Sequence, residues 1–112
     1  MKIDIRTRGF RPTAALSAHV EREVTRSLSR VRHRPAAILA SLSDLNGPRG
    51  GEDKRCQIRG CLAQTGEVVA SAAGADMYRA IGMAADRFRR ALVRKGGPRT
   101  VRRTAGRGNG RT

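Results

Sequence analysis

Apolar residues recur along this chain with two periods, and the order of those periods restricts the fold more than any other feature. Residues 2–7 (KIDIRT) alternate: Ile3 and Ile5 point one way, Lys2, Asp4 and Arg6 the other, as in a half-buried strand. Gly9 and Pro12 break that pattern, and Thr13 is suited to cap a helix. From there Leu16, Val20, Val24, Leu28 and Val31 follow at steps of four and three, which predicts a helix to about Val31. After Pro35 alternation returns in residues 36–45 (AAILASLSDL), with Ile38, Ala40 and Leu42 opposite Ser41 and Ser43. The stretch NGPRGG (46–51) reads as a flexible turn. Cys56, Ile58, Gly60 and Leu62 then alternate with Arg55, Gln57, Arg59 and Cys61. Thr65-Gly66 marks a tight hairpin turn, and Glu67–Ala73 forms a short fourth strand. Asp76 can cap a last helix to about Lys95, whose apolar stripe is Met77, Ile81, Ala84, Phe88 and Leu92; Gly96-Gly97-Pro98 stops it.

The order β-α-β-β-β-α gives each strand one apolar face and each helix one apolar stripe. The economical solution is an α+β fold, a four-stranded sheet with both helices packed on one face. The first two strands, joined by a crossover, should be parallel and right-handed in connection; the others, joined by hairpins, antiparallel. A length of 112 residues suits one domain. Phe10, Tyr78 and Phe88 are the whole aromatic set, so the core must come from Ile, Leu, Val, Met and Ala. Residues 1–95 are expected to form the domain. Residues 96–112 hold five Arg, no acid and almost nothing apolar, so a disordered Arg/Gly-rich tail is expected.

Charge speaks to partners. The chain carries 24 basic and 9 acidic residues, a formal +15. Without the five tail arginines, 19 basic residues remain against the same 9 acids, so the folded part keeps +10. A field of that size attracts polyanions. Of the basic residues 21 are Arg, whose planar fork suits phosphate. A GC-rich coding bias is a sufficient source of the excess of Arg over Lys, but not of the net charge. On the first helix His19, Arg22, Arg26 and Arg30 fall within a wedge of roughly 80° opposite the apolar stripe. On the second, Arg79, Arg87, Arg90 and Arg94 fill another of roughly 80°, with Lys95 at its end. One such wedge is commonly just a solvated face. Two, almost free of acids and on one surface, would grip phosphates spaced along RNA, by shape more than by sequence. Neutralising about six phosphates implies a log–log salt slope of roughly −4 to −5.

Other chemistry finds little support. Cys56 and Cys61 would face opposite sides of one strand about 16 Å apart, which excludes a mutual disulfide and reads as reduced thiols in a cytoplasmic protein. Two cysteines at that spacing are no metal motif, and no cofactor is expected. NGPRGG is not followed by Gly-Lys-Ser/Thr, so it is not a nucleotide-phosphate loop. No nucleophile–base pair or paired carboxylates have supporting context, so neither an enzyme nor a small-molecule substrate is expected. No apolar stretch suggests a leader or a membrane span. His19 reads as exposed on the Arg side of the first helix, His33 as a loop residue, and Tyr78 as packed between helices or stacked at the site.

The segment ADMYRAIGMAADRFRRALVRKGG resembles the last helix of the ribosome hibernation promoting factor family, which includes protein Y, a ribosome-associated inhibitor, and was once labelled sigma-54 modulation protein. Asp76, Met77, Tyr78, Ala80 and Ile81 match its hallmark; TAALSAHV (13–20) and TGEVVASA match its first helix and last hairpin. The resemblance implies a fold similar to double-stranded RNA-binding domains. It implies a monomer that docks on the small ribosomal subunit, in the channel for messenger and transfer RNA near the decoding centre. Basic residues of both helices would contact ribosomal RNA, at positions matching Arg26, Arg87, Arg90 and Arg94; Arg22 and Arg30 come from the face argument alone. Ser27, Gly82 and the basic tail depart from the family pattern. The function implied is translation inhibition during hibernation or stress. Two alternatives are an RNA-binding module or chaperone acting through the tail, and a protein–protein regulator of a sigma factor.

Overall fold

The computed structural model describes residues 1–44, 53–63 and 66–96. Its elements are β1 (Lys2–Arg8), α1 (Ala14–Ser27), β2 (Ala37–Asp44), β3 (Lys54–Leu62), β4 (Gly66–Gly74) and α2 (Met77–Gly96). The strands form one sheet in the order β1-β2-β3-β4. β1 runs parallel to β2, and the remaining pairs are antiparallel. The α+β order, the strand pairing and the common helix layer agree with the periodicities. The NGPRGG turn and the tail beyond Gly96 lie outside the described residues.

The register explains how so few large side chains make a core. Three rows cross the inner face of the sheet: Ile3–Ile38–Gly60–Val68, Ile5–Ala40–Ile58–Ala70 and Thr7–Leu42–Cys56–Ala72. Leu16, Val20 and Val24 of α1, with Leu28 just past its end, descend onto this face. Ala80, Ile81, Ala84, Ala85, Phe88 and Leu92 descend from α2. The small residues in the rows make room for the large ones above. Gly60 is the clearest case. A Cβ there would stand 2.8 Å from Pro35 Cγ and 3.1 Å from Phe88 Cζ, so the missing side chain is what lets Phe88 seat against β3. Gly9 is required for a different reason: its φ is +92°, and a Cβ would collide with the Asp44 carbonyl.

Both helices start as their caps dictate. The Thr13 hydroxyl accepts from the Leu16 N–H at 3.1 Å, and the Asp76 carboxylate accepts from the Tyr78 N–H at 3.0 Å. The end of α1 corrects the sequence expectation: the helix stops at Ser27, not at Val31. The Ser29 hydroxyl donates to the Arg26 carbonyl at 3.0 Å, competing with the helical ladder. The Val31 N–H then donates to the Leu28 carbonyl at 3.1 Å, closing a tighter turn. A three-residue turn returns the chain to the same side, so Leu28 stays buried and Val31 still packs on the core. The apolar spacing is the same in either geometry, which is why the stripe reads as unbroken helix.

Gly82 interrupts the interior of α2, yet a Cβ there would meet only Glu23 Oε1 at 3.5 Å, an ordinary contact. Gly82→Ala should therefore stabilise the domain by up to about 1 kcal/mol through helix propensity. Gly60→Ala should destabilise it by about 1–3 kcal/mol through overpacking against Pro35 and Phe88. Urea titration of both variants checks the pair; a Gly60→Ala midpoint equal to the parent's would contradict the packing account.

Candidate nucleic-acid interface

Because the stripe of α2 faces the sheet through Phe88, the side chains half a turn away must face solvent. Arg79 and Arg90 point straight out from the helix layer. Arg87, Arg94 and Lys95 sit on the flank toward the edge strand β4. Two of these are fastened there: Arg87 Nη1 donates to the Ser71 carbonyl at 2.9 Å, and Lys95 Nζ to the Glu67 carbonyl at 3.0 Å. They cover carbonyl groups on the outer edge of β4, which has no strand neighbour among the described residues. The basic residues of α2 therefore divide between a forward face and a strand-edge flank rather than forming one patch.

On α1, Arg22 and Arg26 occupy the shoulder toward α2. Arg30 does not belong to that helix, since α1 has ended three residues earlier; it is presented from the following turn. It still meets Arg26 across a cleft of about 530 Å³ between the end of α1 and the middle of α2. Arg89 and Asp86 complete the cleft from α2, and Gly82 forms part of its wall. Arg89 escaped the sequence reading because its helical angle places it beside α1, outside the wedge. Only the placement of α1 against that flank brings it to the cleft.

The acids of this surface correct the expectation of a nearly acid-free face. Glu23 pairs with Arg26 at 2.6 Å, while the Asp86 carboxylate takes Arg89 at 2.7 Å and Arg90 at 2.8 Å. The arginines remain accessible: the side chains of Arg26 and Arg90 are 71% and 62% exposed. Exposed ion pairs add little to stability, so they orient the guanidinium groups without tying them up against a phosphate. The Arg89 hydrogen bond, helped by the Arg90 and Arg89 charges, holds the Asp86 carboxyl below its usual range despite some opposing desolvation.

His19 also differs from its expected role as a merely exposed residue. Its Nδ1 lies 3.1 Å from Arg22 Nη2, and its Nε2 3.2 Å from the Tyr78 carbonyl. A guanidinium only donates, so Nδ1 accepts and the proton sits on Nε2, which donates to the carbonyl. The rings of His19 and Tyr78 meet edge-on, 4.8 Å between centroids. His19 thus ties Arg22 to the first turn of α2. Among the described residues no group of three or more His, Cys, Asp or Glu side chains is placed to hold a metal. Nor is any described helix long and apolar enough to cross a membrane.

A family model described as sigma 54 modulation protein / S30EA ribosomal protein matches residues 3–97. The chain belongs to that family. Among solved structures it is similar to the N-terminal domain of Thermus thermophilus Protein Y, at 25% identity and a TM-score of 0.69, over 84% of this chain and 98% of that one. A ribosomal subunit interface protein from Coxiella burnetii shares the fold, with 17% identity, a TM-score of 0.65, and coverage of 84% and 96%. No curated protein matches the chain in a direct sequence comparison.

The Asp86 pairs make a pH prediction. A carboxylate with a depressed folded-state pKa adds stability that is complete above its unfolded pKa and is lost as pH falls through the folded one. Asp86→Asn should lower the melting temperature slightly at neutral pH, and the gap should close in acid below the ordinary carboxylate range. A pH-independent gap would mean that the ion pairs are not its source.

Proposed function

We propose that this chain is a ribosome-associated translation inhibitor of the hibernation type. It binds small-subunit ribosomal RNA in the decoding channel and so blocks messenger and transfer RNA. The observation that carries the reading is the family match over residues 3–97, spanning both basic helices. The Thermus Protein Y likeness extends over nearly the whole of that domain, which supports the fold on which the reading rests.

Chemically, the helix layer suits a folded RNA surface. Arg26, Arg30 and Arg89 converge on one cleft wide enough for a phosphate, with Arg22 beside it. Arg79 and Arg90 extend the positive surface along α2, while Arg87, Arg94 and Lys95 form a separate basic flank at the strand edge. Arg forks of this kind take phosphate oxygens in pairs. The domain would inhibit by occupancy, standing where the RNA ligands of the ribosome would stand. The sigma-factor reading is kept as an alternative because the family description names sigma 54 modulation.

The full chain, mixed with purified small subunits at physiological salt, should sediment with them and protect RNA of the decoding channel. Arg26→Gln with Arg90→Gln should leave the melting temperature nearly unchanged and reduce the log–log salt slope by roughly 1.5 to 2. Failure of the parent chain to sediment with subunits would overturn the ribosome reading. Loss of binding on deleting residues 97–112 from a still-folded chain would transfer the role to the tail. Partners retained after nuclease treatment would favour the sigma-factor alternative.

A further inference from the structure

Both helices cover the same side of the sheet, so among the described residues the other side is uncovered. Its residues are the outward set of each strand, and their charges are segregated. Two adjacent rows at one end read Arg8–Ser43–Arg55 and Arg6–Ser41–Gln57 from β1 through β3. These six side chains line a shallow hollow of about 420 Å³. Neither row contains an acid. The acids of this face stand farther along: Asp4 in the next row, and Glu67 near the far end, where it is paired with Arg59 at 3.3 Å. Among the described residues Arg6, Arg8 and Arg55 make no ion pair. Three arginines clustered on a sheet surface, with no ion pair among the described residues, are not explained by folding.

We propose that this hollow is a second RNA-binding surface, which takes the sugar–phosphate backbone of an RNA segment other than the one held by the helices. Arg6 and Arg8, two residues apart on one strand, are separated by about 6.6 Å. That is comparable to the separation of successive phosphates along a strand. Arg55, two strands away at about 9.5 Å, faces them across the hollow. Between the guanidinium groups stand Ser41, Ser43 and Gln57, short donors and acceptors of the kind that meet phosphate oxygens and 2′-hydroxyls. No aromatic residue lies on this face: Phe88 is in the core, Phe10 packs against it and Tyr78 is on α2. Bases therefore have no stacking platform, and binding follows the backbone rather than the sequence. A second copy of the chain is disfavoured as occupant, since like charges would meet. The inference rests on the reading that this chain associates with ribosomal RNA, but it uses none of the helix-layer residues. The domain becomes a wedge between two RNA segments.

The test uses the full chain with Arg6, Arg8 and Arg55 replaced by Gln, and purified small ribosomal subunits as the probe. The variant should keep its melting temperature, bind about tenfold more weakly at physiological salt, and show a log–log slope smaller by roughly 2 to 3. If it melts early, R6Q and R55Q singly should each reduce the slope by about one. Cys61 supplies a second readout: it is exposed on this same face, whereas Cys56 is buried and its thiol is pushed up to about 12. A hydroxyl-radical source tethered at Cys61 should cut ribosomal RNA. Unchanged affinity and slope would overturn the proposal. Weaker binding without RNA cleavage would overturn it too, in favour of an acidic protein contact. R26Q/R90Q run in parallel separates the two surfaces: if that variant binds normally while the sheet variant fails, the helix-layer reading falls and this one stands. If the parent chain ignores subunits, the same comparison on a short oligouridylate decides, and an unaltered slope there would overturn the sheet surface.

Discussion

Phe88 is the single aromatic side chain with almost no exposure, and its seat on β3 determines how the rest of the molecule is presented. The ring reaches the sheet because Gly60 lacks a side chain, and Pro35 closes the pocket from the β2 approach. Filling that contact with one large ring fixes the rotation of α2 about its own axis. Once the rotation is fixed, Arg79 and Arg90 are directed to solvent, Arg87 and Lys95 to the β4 edge, and Arg89 and Asp86 to α1. The small residues that floor the sheet, Ala40, Ala70 and Ala72, act in the same sense by letting the helices approach closely. A domain poor in aromatics is thus oriented by one of them.

Electrostatics follows from that orientation. A domain with this many cations must keep them apart from one another while leaving them available. Glu23 and Asp86 do so between the helices, where cations from two elements crowd. His19 adds an uncharged link, accepting from Arg22 and donating across to α2. Positive charge is therefore not a uniform coat. It is concentrated at the interhelical cleft, along the strand-edge flank, and at one end of the open sheet face.

Much of this was legible in the residues themselves. Alternation in β1, β2 and β3 and the stripes of Leu16–Val24 and Ile81–Leu92 carried the topology, because burial of one face imposes those periods directly. The cap residues Thr13 and Asp76 marked the helix starts for an equally local reason. What escaped was whatever depends on contacts between elements. The end of α1 was hidden because a tight turn preserves the apolar spacing. Arg89 falls outside the wedge, and the partners of His19 are hidden, because helical angle alone does not say which flank a neighbouring helix will cover. Arg6 and Arg55 were visible as outward residues of their strands, but the place of Arg8 beside them and their segregation from Asp4 and Glu67 needed the cross-strand register.

Two basic surfaces on opposite sides of a thin α/β layer have a mechanical consequence. A protein that binds one RNA surface can be displaced by any competitor for that surface. A layer gripped on both sides is held by two sets of contacts that must be released together, so dissociation slows more than either affinity alone would suggest. The geometry suits a cleft with RNA on both walls better than an open RNA helix, which offers only one wall to a rigid domain of this thickness. It also gives the Arg-for-Lys bias a use beyond codon content. Flat guanidinium forks can bridge phosphates along a shallow sheet surface, where a point-like ammonium would contact one at a time. Under the proposed function, occupancy of a channel would follow from shape and charge, without base recognition.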